Sequence, residues 1–375
     1  MSAGEHLLDS ALVAASALIG TALTVVDGPF AGGDRSVVVR ARRSDTDETV
    51  IVKGYDADRA EEGWAREAAA LTALAGLRTR APGVVAVVAS PQVVVMEDLG
   101  PGDSVASALL ARDPLTAGQA VVDWAEALAD LHAATWNNVD GFVAALSDVA
   151  GRTAPNPRAM PDVLIDGIQR LGRAADPLNI EVSERVTDEV LSIATRLGGD
   201  VQVLSSFDAC PDNNVRTATG LRLIDFEGAT VAHPAWDVAY LRVPWPSCWC
   251  AWRMPDAVAG RAEQAWRERL RIQIGPGGAE PDWASIDAAI HLASLVWCLV
   301  TVGWFLPGAL ADRRAGGGGD SAPLLRDVVQ HRLKLVLESE VPDLVAGREL
   351  ARRLTEALTS IWKPHQLPIA PAFRR

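Results

Sequence analysis

The sequence predicts an α+β fold built as a small β-rich N lobe and a larger, mainly helical C lobe. Three observations carry that expectation. Alternating β-branched runs crowd the chain before Leu99, a Leu99-Gly100-Pro101-Gly102 break follows, and helical periodicity dominates the remainder. The break divides the chain into an N lobe of residues 1–98 and a C lobe of residues 99–375.

Each element follows from local pattern. Residues 7–26 are apolar, are broken by Asp9 and follow Glu5 and His6 rather than a basic run. They therefore read as an amphipathic helix leading into a strand, not as a signal peptide. Residues 27–35 form a loop with Gly28, Gly32 and Gly33. Residues 36–40 and 49–53 are strands of a hairpin about the polar turn 44–48. Trp64, Ala68, Leu71, Leu74 and Ala75 mark a helix over 61–77, and 84–88 and 93–96 are further strands. In the C lobe, Val121, Trp124, Ala125, Leu128 and Leu131 share one face of a helix over 118–135. Strands are expected at 201–204 and in a pair, 215–217 and 221–224, around Ala218-Thr219-Gly220. A second Gly-rich loop covers 316–319.

Residues 288–310 carry no Asp, Glu, Lys or Arg and are long enough to cross a bilayer. His291, Ser294, Thr301, Gly303 and Pro307 interrupt the stretch, and only Arg313 and Arg314 follow it closely. A helix buried inside the C lobe is the expectation, with no membrane partner.

Composition narrows the function classes. The 375 residues are 49% hydrophobic and 22% charged, which is globular usage. A net charge of -13 argues against a general nucleic-acid or acidic-membrane binder, because phosphates attract basic surfaces. It suits cationic substrates and simple solubility alike. Cys210, Cys248, Cys250 and Cys298 form no CxxC pair, so they read as buried free thiols in a reducing cytosol.

The most informative segment is Ser206-Phe207-Asp208-Ala209-Cys210-Pro211-Asp212-Asn213, followed by the hairpin and Ile224-Asp225-Phe226-Glu227. Asp-x-x-x-x-Asn alone is a common turn. Ahead of a hairpin that ends on a second Asp, it matches the needs of phosphoryl transfer. That chemistry requires a carboxylate for the attacking hydroxyl, oxygen ligands for Mg²⁺ and positive charge on the phosphates. Asp208 suits the first role, and Asn213 with Asp225 suits the second.

This ordered set resembles the aminoglycoside phosphotransferase and choline kinase-like family, relatives of the protein kinases, over roughly residues 20 to 260. The resemblance implies a protein-kinase-like two-lobe fold, Asp208 as catalytic base, and Asn213 and Asp225 as metal ligands. It makes Asp237 of His233-Pro234-Ala235-Trp236-Asp237 structural, and places the Leu131-His132 helix end below the catalytic loop. The family usually has His two residues before the catalytic Asp; here the residue is Ser206, so that brace is missing while the metal ligands remain.

On the nucleotide side, Lys53 ends the alternating strand Val50-Ile51-Val52-Lys53, much as the family's phosphate-binding Lys does. Only Lys334 and Lys363 join it in a chain that otherwise uses Arg. Glu67, at the edge of its helix's apolar face, needs a cationic partner, and Lys53 is the obvious one. Residues 95–99 take the family's hinge position, assigning Glu97 and Leu99 to the adenine side; Gly32-Gly33 is a weak phosphate-loop signal. Trp245, Trp249 and Trp252, with Asp212 and Glu227, are candidate acceptor contacts. Core packing is the bland reading of the tryptophans, and Glu227 also suits the metal site.

The expectation is a cytoplasmic phosphotransferase using ATP, or GTP, with Mg²⁺ to phosphorylate a small-molecule hydroxyl. The acceptor is an aminoglycoside-like sugar, an amino alcohol or a similar neutral or amine-bearing metabolite. The rival reading is a catalytically silent nucleotide-binding regulator of the same fold, suggested by Ser206.

Overall fold

The β-branched runs before the hinge pair into one antiparallel sheet. The computed structural model describes residues 3–30, 35–199, 201–243, 245–275, 281–316 and 319–374. In chain order the N lobe comprises α1 (Ala3–Ile19), β1 (Leu23–Asp27), β2 (Ser36–Arg43), β3 (Thr49–Tyr55), α2 (Ala57–Leu74), β4 (Val84–Val88) and β5 (Val93–Glu97). The sheet order is β1-β2-β3-β5-β4. The Gly32-Gly33 loop lies outside the described residues.

Alternation along β3 decides what each face does. Val50 and Val52 join Val39, Val93 and Val95 in a small core under Ala11 and Ala15 of α1. Ile51 and Lys53 take the opposite parity and line the space between the lobes. Helix α1 lies close on β3 at Gly54, where an added Cβ would sit 2.9 Å from the Ala11 Cβ. Helix α2 begins earlier than its apolar periodicity suggests, because Asp56 caps it and accepts from the Asp58 N–H.

After the hinge come α3 (Val105–Leu110), α4 (Pro114–Thr135), α5 (Asp140–Ala150), α6 (Met160–Ala175), α7 (Glu184–Gly199), β6 (Val203–Ser205), β7 (Asn214–Thr217), β8 (Gly220–Leu223) and β9 (Thr230–Ala232). Helices α8 (Ala235–Arg242), α9 (Asp256–Ile274), α10 (Trp283–Leu310), α11 (Leu325–Leu337) and α12 (Val345–Thr359) complete the C lobe. The expected pair β7–β8 forms, with Thr217 opposite Gly220 across a two-residue turn. Strand β9, too short to carry a pattern of its own, pairs with β6 and so brings together the two ends of the segment 206–229.

Helix α10 is the apolar stretch, extended back to an Asp282 cap that accepts from Ala284 and Ser285. Its most apolar window is 83% buried within the protein. It crosses α6 with backbones nearly touching: a Cβ on Gly303 would lie 2.4 Å from the Gly167 carbonyl oxygen. Two of its own indoles meet buried ones edge-on: Trp297 against Trp236 of α8, and Trp283 against Trp266 of α9.

Candidate active site

A cavity of about 660 Å³ opens between the lobes. Its apolar wall is made by Val38, Ile51 and Met96 from the N lobe and Val215 and Ile224 from the C lobe. Its polar end collects Lys53, Glu67, Asn213, Asp225 and Glu227. An apolar slot leading to a charged end suits a flat base attached to phosphates.

Strand parity and the α2 register bring Lys53 and Glu67 together, with Nζ 2.8 Å from Oε2. The same ammonium lies 2.7 Å from Asp225 Oδ1 and 3.6 Å from Glu227 Oε2. Burial works against the Lys53 charge, but Glu67, Asp225 and Glu227 outweigh it and raise its pKa. Burial raises the Glu67 carboxyl, while Lys53 and the Phe226 N–H on Oε1 pull the other way. Tyr55 donates to its other oxygen. Glu67 thus ties Lys53 to the backbone immediately after Asp225, across the two lobes.

Glu227 lines this cavity and accepts from Arg35 at 3.0 Å. Two places were expected for Glu227, facing an acceptor or at the metal site; it follows the tight turn at Asp225, whose φ is 64°, and lies 3.6 Å from Lys53 Nζ. Sequence reading missed Arg35 and Arg40, which also line the cavity. Parity held the signal, since Ser36, Val38 and Arg40 alternate onto the same face as Lys53. Arg40 is fixed by Asp98, which also accepts from Thr49.

At the hinge, Glu97 and Leu99 both line the cavity. The Glu97 carboxylate is turned to Arg222 of β8 at 3.0 Å and to the Gly83 N–H, so it bridges the lobes instead of offering itself to a base.

Asp208 sits on the loop after β6, and its neighbours hold it from several directions. Asn213 donates from Nδ2 to the Asp208 carbonyl at 2.8 Å and to Oδ2 at 3.2 Å. Asn213, Asp225 and Glu227 line the same cavity and together offer hard oxygen donors, the kind Mg²⁺ favours. Burial pushes the Asp208 carboxyl up to about 6, with Ser247 pulling it down and Asp212 and Asp225 adding to the rise.

Below the loop runs a buried relay. Trp266 donates from Nε1 to His132 Nδ1, which leaves Nε2–H of His132 to donate to Asp237 at 3.0 Å. Ser205 donates to the other Asp237 oxygen at 2.7 Å and accepts from the Phe207 N–H at 2.8 Å. Phe207, with a left-handed φ of 66°, is pinned in that conformation by this chain.

Two further expectations are corrected. Cys210 and Cys248 form a disulfide, leaving Cys250 and Cys298 as the buried free thiols. Their separation of 38 residues gives no motif; the fold brings them together by laying residues 247–249 along the loop of Asp208. Trp245 is not in an acceptor cleft. It is fully buried and stands edge-on to Trp124 of α4, so it belongs to the core. Trp249 is half-buried and does meet Asp212, donating to Oδ2 at 2.7 Å, with Trp252 packed edge-on behind it.

The family model described as the phosphotransferase enzyme family matches residues 29–274, a span holding Lys53, Asp208, Asn213 and Asp225. The chain belongs to the phosphotransferase enzyme family. It is accordingly a small-molecule kinase with the protein-kinase-like fold. None of the curated proteins matches the phosphotransferase. Among solved structures, an ethanolamine kinase of Plasmodium vivax superimposes with a TM-score of 0.51 at 13% identity, over 96% of this chain and 84% of that one. A choline/ethanolamine kinase family protein from Mesorhizobium loti gives 0.50 at 14%, over 93% and 98%. A Ralstonia eutropha protein assigned to the aminoglycoside phosphotransferases gives 0.52 at 15%, over 91% and 98%. At such identities these likenesses speak for the phosphotransferase's fold.

Proposed function

We propose that the phosphotransferase moves the γ-phosphoryl group of ATP to a hydroxyl of a neutral or amine-bearing small molecule, with Asp208 as the base. The carrying observation is the joint made by Asn213. It lines the Lys53–Asp225 cavity and also donates to Asp208, so the phosphate end of a nucleotide and the base share one corner.

The base of the nucleotide lies between Ile51, Met96 and Ile224, and Lys53, oriented by Glu67, meets the phosphates. Asn213 and Asp225, with Glu227 adjacent, would hold magnesium; when bound there it supplies charge neutralisation on the transferring phosphoryl group. Asp208 accepts the acceptor's hydroxyl proton as its oxygen bonds to phosphorus and the bridging oxygen leaves with ADP. The raised Asp208 pKa suits a base that must take up a proton near neutrality. Carboxylates at 208 and 212 disfavour an anionic acceptor and suit an ammonium.

The test is ADP release by the pure protein across a panel of amino alcohols, aminoglycosides and neutral sugars. An acceptor should emerge, and Asp208→Asn should cut its turnover by about 10²–10⁴-fold with nucleotide affinity unchanged. Near-normal turnover in the folded variant would remove Asp208 from the reaction.

A further inference from the structure

Residues 247–249 run beside the catalytic loop in a regular register. The Ser247 hydroxyl donates to Asp208 Oδ1 at 2.8 Å, Cys248 is bonded to Cys210, and the Trp249 indole N–H donates to Asp212 Oδ2. Three consecutive residues therefore meet alternate loop positions 208, 210 and 212. A second anchor lies behind the first: the Tyr240 hydroxyl of α8 is 2.9 Å from Ser247 Oγ and 3.2 Å from the Phe207 carbonyl oxygen. Tyr240 is itself fully buried and stands edge-on to Trp297 of α10.

Consider what fixes the Asp208 carboxylate. Asn213, from within the loop, holds Oδ2, while Ser247, from outside it, holds Oδ1. With one donor on each oxygen, rotation of the carboxylate about its last torsion is stopped. The remaining lone pairs keep one direction, and a proton acceptor needs that direction fixed relative to the attacking hydroxyl. The loop has Ser206 two residues before Asp208, so this brace arrives from a segment distant in sequence.

We infer that Ser247 is a positioning residue for Asp208, itself set by Tyr240 and by the Cys210–Cys248 link. This inference rests on the role proposed for Asp208. Ser247 acts through the carboxylate and lies outside the nucleotide cavity, so its loss should appear in kcat alone.

The experiment is steady-state kinetics with the best acceptor, alongside Mg-ATP titration, for Ser247→Ala, Ser247→Thr, Tyr240→Phe, Asp208→Asn and the double variant Asp208→Asn/Ser247→Ala. Ser247→Ala should lower kcat by about 10–10²-fold, the scale of a misaimed catalytic group, with KM and Mg-ATP affinity within about twofold of wild type. Ser247→Thr keeps the hydroxyl and should recover most of that loss. Tyr240→Phe, which preserves the buried ring, should lose about threefold in kcat through a freed Ser247. The double variant should be no slower than Asp208→Asn alone, because both changes act on one group.

An unchanged kcat in Ser247→Ala, a change confined to KM, a Thr variant as slow as Ala, or additive losses in the double variant would each overturn the inference. If Ser247→Ala fails to bind Mg-ATP as a folded protein does, Ser247→Thr and Tyr240→Phe decide the matter by the same criteria. The two ideas separate cleanly. Full turnover in Asp208→Asn defeats the catalytic reading, whereas an inactive Asp208→Asn beside a fully active Ser247→Ala defeats this inference alone.

Discussion

The two walls of the site are finished to different degrees. On the nucleotide side, one ammonium, Lys53, faces three carboxylates beside an open cavity. Arg35 and Arg40 also line that cavity, but Arg35 reaches Glu227 alone within that group and Arg40 is taken up by Asp27 and Asp98. On the proposed acceptor side, Asp208 is already held by Ser247 and Asn213, and Asp212, which also borders the cavity, by Trp249. The first wall has surplus negative charge that a cation can complete; the second has satisfied hydrogen bonds that an incoming ligand must exchange. Affinity should therefore depend on charge at one wall and on packing at the other.

The largest break in this comparison is Asp225→Ala. Removing an anionic donor from the nucleotide wall should weaken magnesium-dependent nucleotide binding by about 10²-fold or more, read by calorimetric titration with and without Mg²⁺. Normal Mg-ATP binding in that variant would mean the wall is complete without it. Next comes Lys53→Ala, expected to lower kcat/KM for nucleotide by about 10–10²-fold through loss of a charge-assisted contact. Glu67→Ala should follow in the same direction but by about tenfold, since Lys53 keeps Asp225 as a partner. Equal or reversed rank order between the two would contradict the picture of Glu67 as the residue that aims Lys53.

At the acceptor wall the effect is smaller. Trp249→Ala should raise KM for the acceptor about fivefold, more than it lowers kcat, as loss of roughly 1 kcal/mol of ring contact does. An unchanged KM would exclude the indole from the pocket.

The smallest effect tests whether charge governs only the site or also the scaffold. Burial, with Arg332, Arg253 and Lys334 adding to it, holds His331 down to about 4, against an ordinary 6.5. The unfolded chain takes up that proton near 6.5 and the folded protein does not. Stability is therefore full above pH 6.5, declines as pH falls toward 4, and the loss then levels off. The decline attributable to this group is on the order of 1–2 kcal/mol after solvent screening. Denaturant titrations of wild type and His331→Gln at several pH values would reveal it as a difference in slope; parallel curves would refute it.

The nucleotide wall was legible in the sequence because it is built from strand parity and helix register, both local. Lys53 follows three β-strand residues whose alternation fixes its face, and Glu67 sits one turn from Trp64 and Leu71. The acceptor wall was far less so. Trp245 and Trp249 lie four residues apart in an irregular segment, and no periodicity distinguishes the one buried on Trp124 from the one bonded to Asp212. The Cys210–Cys248 link, Ser247 and the Trp266–His132–Asp237–Ser205 relay all depend on tertiary placement across tens of residues. The direction of Glu227 was hidden for a similar reason: it follows a left-handed Asp225, where strand alternation no longer says which way a side chain points.

Helix α10 has a consequence for how the protein is made. It is apolar on nearly every side and buried against α6, α8 and α11. Emerging from the ribosome alone, such a segment is long and apolar enough to pass for a membrane span. Yet α6 and α8 precede it in the chain, so two sides of its berth are synthesised before it appears. Only α11 comes later, and it follows within fifteen residues. Chain order thus limits the time during which this segment is without partners, and a circular permutant that places α10 first would lose that protection while keeping every native contact.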